Sequence, residues 1–173
     1  PAPNQPHNPL RYVVTWDPRN VVMAGEAGAQ YLDDGDIKIV PFHHVFQHTW
    51  PCDVEGIGRL EAYANRDALS YMQSFGLEHV KTMIRGTLRY PGWSETWTQI
   101  VRLGLPNETL RIPGLAVRSY AEVVEMFLPL EMRGSSLEQR TAHFLRINPT
   151  GGIMDKLRWL GLFPFTTGNT LDI

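Results

Sequence analysis

Residues 82–90 read TMIRGTLRY and are closed by Pro91 and Gly92. In an extended chain successive side chains face opposite ways, so Ile84, Gly86, Leu88 and Tyr90 share one side and Met83, Arg85, Thr87 and Arg89 the other. One apolar and one polar face predict a strand in a sheet packed on one side only. Two guanidinium groups and a hydroxyl on the open face would suit an anion, because the guanidinium fork matches the two oxygens of a carboxylate. A solvated face with ordinary ion pairs would carry the same pattern.

The surrounding chain alternates strand and helix signals. PAPNQPHNP is proline-rich and predicts an extended lead-in, and LRYVVTW (10–16) predicts a strand. In DPRN, Asp17 can cap free amides and Pro18 fits the first helical position, which predicts a helix running on to Leu32. DDGD (33–36) stops it and IKIVPF returns as a strand. Pro51, Gly56 and Gly58 break up residues 43–58, a long loop or twisted ribbon. RLEAYAN (59–65) predicts a strand, Asp67 a second cap, and ALSYMQSFG the helix behind it. In GWSETWTQIVRLGL the spacing of Trp93, Trp97, Ile100 and Val101 predicts the buried side of a helix.

After Pro106 the segments SYAEVVEMFL, SSLEQRTAHFLRI and GGIMDKLRWLGLF all have helical spacing, with Ser135 or Ser136 as a cap. This predicts an α+β core over residues 1–105, with a mixed or antiparallel sheet covered by helices on one face. A helical extension of the same domain occupies 106–173.

The chain has 173 residues, 43% hydrophobic and 20% charged, with a net charge of -2. A core of real size is possible at that length, and no global basic field recommends nucleic acid or an anionic membrane as a partner. No apolar run reaches the roughly 18 residues a membrane span needs. The single cysteine, Cys52, permits no intramolecular disulfide and is compatible with a reducing, cytoplasmic setting. The first residue is proline, consistent with a piece of a longer protein.

His43, His44, His48 and Cys52 cluster within ten residues, but their spacing matches no tight zinc pattern, and no metal is expected. GEAGAQ (25–30) has two glycines, yet they fall inside the expected helix rather than at its start, so it is not read as a dinucleotide loop. No Walker A, HExxH or GxSxG pattern occurs, and no side chain is assigned as a catalytic acid, base or nucleophile. In YANRDALSY, Arg66 sits where a strand gives way to a helix, either solvent-facing or beside the Arg85 and Arg89 face.

NPLRYVVTWDPRNVV, YANRDALSY, VKTMIRGTLRYPGWSETW and LRWLGLF together resemble, in order, four sequence blocks of the saccharopine dehydrogenase family, in particular its glutamate-forming saccharopine reductases. The resemblance runs from about Pro1 to Leu171. It implies the substrate-binding and dimerising domain, of the type seen in the second domain of glyceraldehyde-3-phosphate dehydrogenase-like enzymes. It also implies a separate Rossmann domain that binds NAD or NADP, a homodimer, and a small amino-acid substrate. The family's substrate contacts fall on Arg66, Thr87, Leu88 and Arg89 here. Asp17 falls near the nicotinamide nucleotide, where the family usually has serine. Ala64 and Ala68 replace a proline and a serine of the family pattern, and the 43–58 loop departs from it. The implied reaction is hydride transfer between NAD(P) and the carbon of a secondary amine in lysine metabolism, with this fragment inactive alone. A carboxynorspermidine synthase-like enzyme and a non-catalytic oligomerisation module are the alternatives.

Overall fold

A computed structural model describes residues 7–14, 17–132 and 136–165. The chain divides into two compact units, Pro1–Thr98 and Gln99–Ile173.

Near the start of the first unit, the Asn8 side chain organises the backbone as far as Tyr12. Its Oδ1 accepts the Leu10 and Tyr12 N–H groups at 3.1 and 3.2 Å, and its Nδ2 donates to the Tyr12 carbonyl at 2.7 Å. These bonds use the backbone groups a ladder would need. Residues 10–14 are accordingly irregular and not the expected strand; Thr15 and Trp16 lie outside the described residues.

Helix α1 (Pro18–Val22) begins as read, with Asp17 accepting the Arg19 N–H and Pro18 in the first turn. It does not run to Leu32. A 3-10 turn (Met23–Gly25) ends it, and Ala29–Asp33 is strand β1, paired antiparallel with β2 (Asp36–Val40). DDGD is the hairpin turn: Asp34 and Gly35 both have positive φ, +48° and +87°, which gives a two-residue turn the twist that hairpins favour. Gly28 lets the chain enter β1 close against β2. A Cβ at that position would sit 2.8 Å from the Val40 carbonyl oxygen, so the close approach of β2 requires glycine there.

Residues 43–58 prove to be mostly ribbon. A 3-10 turn (Phe42–His44) leads into β3 (Thr49–Val54), which pairs antiparallel with β4 (Gly58–Ala64). Strand β5 (Gly86–Arg89) pairs with the other side of β4, giving the order β3-β4-β5. The sheets are antiparallel, within the expected α+β class.

The strand predicted over 82–90 is split between two partners. Met83 exchanges backbone hydrogen bonds with Leu32 of β1 at 2.9 and 3.2 Å, while Gly86–Arg89 pairs with β4. Ile84 lies at the change of partner and is exposed, so it does not join the packed side as its alternation suggested.

Helix α2 (Leu69–Ser74) starts behind Asp67, whose Oδ1 accepts the Leu69 N–H at 2.8 Å. In helix α3 (Trp93–Leu103), Trp93, Trp97, Ile100 and Val101 are all buried, as their spacing predicts.

The second unit contains helices α4 (Tyr120–Phe127), α5 (Leu137–Leu145) and α6 (Gly152–Trp159). Ser119 and Glu122 form a reciprocal capping box on α4, and Ser136 caps α5. Arg158 joins α6 to its surroundings: Nε donates to Glu138 of α5, Nη1 to Asp155 and Nη2 to the Pro149 carbonyl.

Gly28→Ala should destabilise the chain by about 1–3 kcal/mol, because the new methyl meets backbone rather than a movable side chain. Urea unfolding measures this, and an unchanged midpoint would contradict the assigned role of the glycine.

Candidate functional site

The register of β4 with β5 builds the site. Glu61 lies opposite Arg89, Ala62 opposite Leu88, Tyr63 opposite Thr87 and Ala64 opposite Gly86. Tyr63, Thr87 and Arg89 therefore share a face, and the side chain of Leu88 points to the other one with Ala62. A ligand held beside Thr87 and Arg89 would meet Leu88 only through its backbone.

That face is not the open polar surface the alternation suggested. Tyr63 and Trp93 are 3% and 1% exposed, with rings 6.0 Å apart and parallel within 4°. Phe46 meets both edge-on, and Trp97 stacks on Trp93 at 4.4 Å. Tyr12 comes edge-on to Trp93 from the irregular lead-in. Arg89 lies in the corner between the Tyr12 and Trp93 rings, its Cζ 4.7 Å from the Tyr12 centroid and 4.8 Å from that of Trp93. Both distances are within cation–π range.

Among the described residues Arg89 nevertheless meets no anion. The opposing Glu61 turns to the start of α3, where its Oε1 accepts the Ser94 N–H at 2.8 Å. Among the described residues no carboxylate is within ion-pair distance of Arg89. Nη1 makes one long contact of 3.4 Å to the Leu88 carbonyl, and Nε is buried with no hydrogen-bond partner among the described residues. A half-buried guanidinium in this state has given up water and gained aromatic faces without charge compensation. A carboxylate arriving from outside would supply what is missing.

Thr87 is half-buried, and its Oγ1 accepts the Asn65 Nδ2–H at 2.9 Å. Burial raises the pKa of the Tyr63 phenol above its ordinary value; the Arg89 charge and the Thr87 hydroxyl act in the opposite sense. Tyr63 is thus a neutral phenol at physiological pH, near both expected contacts.

Arg66 is exposed at the far end of the same strand pair, with φ +59°, and its carbonyl accepts the Gln30 N–H at 3.1 Å. The Asn65 N–H bonds the Arg85 carbonyl, so the backbone at 66 lies beyond the Gly86 end of β5. Three residues of strand separate Gly86 from Arg89, about 10 Å. The backbones of Arg66 and Arg89 therefore lie at opposite ends of this strand pair. Arg85 turns elsewhere, its Cζ 5.6 Å from the Tyr71 ring of α2. Asp67 is held below its usual carboxylate range first by the Gln30 side chain and then by groups at the start of α2, the Ser70 side chain and the Leu69 and Ser70 N–H groups.

Asp17, the residue expected near the nicotinamide nucleotide, caps α1: its carboxylate accepts the Arg19 N–H at 3.0 Å and the Asn20 Nδ2–H at 2.7 Å. GEAGAQ runs from the end of a helix into β1, the reverse of the strand-to-helix order that aims amides at a pyrophosphate. No hydride-transfer step is therefore assigned to these residues.

His43 and His44 have ring centroids 4.2 Å apart and His44 and His48 5.9 Å. Among the described residues no group of three or more His, Cys, Asp or Glu side chains is placed to hold a metal ion. A shallow groove of about 310 Å³ lined by Gly28, Gln30, Ile39, Pro41 and Asp67 contains none of the four expected substrate contacts.

Tyr12, Tyr63 and Trp93 are the site residues that alternation within 82–90 does not reveal. Tyr63 lies on β4, and its opposition to Thr87 depends on a register that a single sequence does not encode locally.

The profile of the family described as "Saccharopine dehydrogenase C-terminal domain" matches residues 1–170. Saccharopine dehydrogenase [NADP(+), L-glutamate-forming] of Saccharomyces cerevisiae is 32% identical over 181 residues, covering 99% of this chain and 40% of the yeast protein. Mitochondrial alpha-aminoadipic semialdehyde synthase of Rattus norvegicus is 30% identical over 167 residues, covering 94% of this chain and 18% of the rat protein. The chain thus spans well under half the length of these curated relatives. Among solved structures, apo saccharopine dehydrogenase (L-Glu forming) from Saccharomyces cerevisiae superposes with a TM-score of 0.75 at 25% identity, over 96% of this chain and 38% of that one.

Arg89→Met should leave unfolding stability unchanged or raise it by up to about 1 kcal/mol, because an uncompensated cation is exchanged for an apolar chain that also packs on aromatic rings. Thermal and urea unfolding test this. A loss above about 1 kcal/mol would mean that Arg89 is a structural cation and not one kept for a ligand.

Proposed function

The chain belongs to the saccharopine dehydrogenase family as a C-terminal domain, and from that membership we propose that its first unit binds the substrate of an NAD(P)-dependent oxidoreductase acting on a secondary amine. The proposed substrate is saccharopine, with three carboxylates and a secondary amine. The observation that carries the reading is Arg89: a half-buried guanidinium on two aromatic rings, with a buried Nε lacking a partner among the described residues, beside the Thr87 hydroxyl.

Arg89 takes one carboxylate, with Thr87 beside it. Arg66, at the other end of the strand pair, takes a second. The backbones that carry these two cations are separated along the strand, which suits a ligand with more than one carboxylate. Leu88 contributes backbone contacts and the wall behind them.

The work of these residues is orientation. Fixing the carboxylates removes rotational freedom from the substrate before hydride transfer and so lowers the entropic part of the barrier. The hydride acceptor or donor, NAD or NADP, belongs to a separate nucleotide-binding domain of the longer protein.

Calorimetric titration of the chain with saccharopine tests the proposal. Saturable binding is expected, and Arg89→Ala should weaken it by about 10- to 100-fold, the loss of a hydrogen bond to a charged group. Thr87→Val should cost less, and added salt should weaken binding by screening the exposed Arg66 end more than the half-buried Arg89 end. Absence of binding, or an unchanged affinity in Arg89→Ala, contradicts the reading.

A further inference from the structure

We infer that Asn8 and Tyr12 are positioning residues that set the orientation of the Arg89 guanidinium. Its bearing on catalysis rests on the carboxylate-binding reading above; its geometry does not. An arginine has many rotamers, and β5 itself fixes Arg89 only through the 3.4 Å contact of Nη1 with the Leu88 carbonyl. The Tyr63 hydroxyl, which also interacts with Arg89, and the Tyr12 and Trp93 rings, one from each side of the corner in which Cζ lies, supply the remaining definition.

Trp93 is built into the core by its stacking on Tyr63 and Trp97. Tyr12 belongs to no helix or strand and needs another anchor. Asn8 provides it, gripping both backbone polar groups of Tyr12: Oδ1 accepts its N–H and Nδ2 donates to its carbonyl. The intervening Arg11 adopts φ +49°, and its N–H bonds the Asn8 carbonyl at 2.9 Å, closing the loop. A non-glycine residue accepts that conformation only where its surroundings over-determine it. The line of action is therefore Asn8 to Tyr12 backbone, Tyr12 ring to guanidinium, and guanidinium to the open position at Nε.

The test reads Arg89 directly, by the NMR resonance of its Nε–H in ¹⁵N-labelled chain, assigned by its loss in Arg89→Met. Tyr12→Leu should move the resonance toward the position of exposed arginines and speed its hydrogen exchange by about tenfold or more. Asn8→Ala should shift it the same way. Tyr12→Phe, which keeps the ring, should retain most of the native signal; Asn8→Asp, which keeps the two acceptor contacts but sets a carboxylate oxygen against the Tyr12 carbonyl in place of the Nδ2–H, should shift it part of the way. If Tyr12→Leu fails to fold, Asn8→Ala and its Asp counterpart decide. An Nε–H unmoved by Asn8→Ala and Tyr12→Leu overturns the inference.

A second readout is saccharopine affinity in a double-mutant cycle. Tyr12→Leu should weaken binding when Arg89 is present and add nothing in an Arg89→Ala background. Equal losses in both backgrounds also overturn the inference. If the unmodified chain binds no saccharopine, the ligand reading has failed and the Nε–H signal alone decides the positioning role.

Discussion

The pairing of Glu61 with Arg89 and of Tyr63 with Thr87 across β4 and β5 determines what the rest of the site can be. It places a tyrosine, a threonine and an arginine on one face, against the wall formed by Trp93, Phe46 and Trp97. A slip of one residue would exchange Thr87 and Arg89 for Leu88 and Gly86 and leave an apolar strand facing the rings. Both sides of β4 constrain the register: Leu60, Ala62 and Ala64 are buried on one face and Tyr63 on the other.

The same pairing creates an electrostatic imbalance. Glu61 is the natural counter-ion of Arg89 by position, yet it accepts the Ser94 N–H at the start of α3. A carboxylate at that location also complements the positive end of the helix dipole. The helix start thus takes the anion that cross-strand pairing would have given to the arginine. Aromatic faces offset part of the cost of partial burial, and Nε is left buried with no hydrogen-bond partner among the described residues. Stability alone offers little reason for a guanidinium here, and the proposed ligand carboxylate would complete its hydrogen bonding.

Local signals were legible in the sequence and non-local ones were not. Asp17, Asp67, Ser119 and Ser136 act at helix starts because capping involves residues two or three apart. The helix expected to reach Leu32 gives way to β1, whose pairing partner β2 is a neighbour only once the hairpin has closed. The alternation over 82–90 correctly grouped Thr87 with Arg89. It could not show that the chain changes partners near Ile84, or that the polar face would meet Tyr63 and Trp93. LRYVVTW reads as a strand by composition, and Asn8 overrides that preference from outside the window through three side-chain hydrogen bonds. The ordered blocks resembling one family carried the functional reading further than any single residue pattern.

A crystal structure of the chain with saccharopine would show whether Arg89 receives a substrate carboxylate. A ligand carboxylate oxygen is expected about 2.7–2.9 Å from Arg89 Nε, with the guanidinium still seated between Tyr12 and Trp93. A ligand bound away from Arg89, or Nε engaged by a protein carboxylate in the complex, would contradict it.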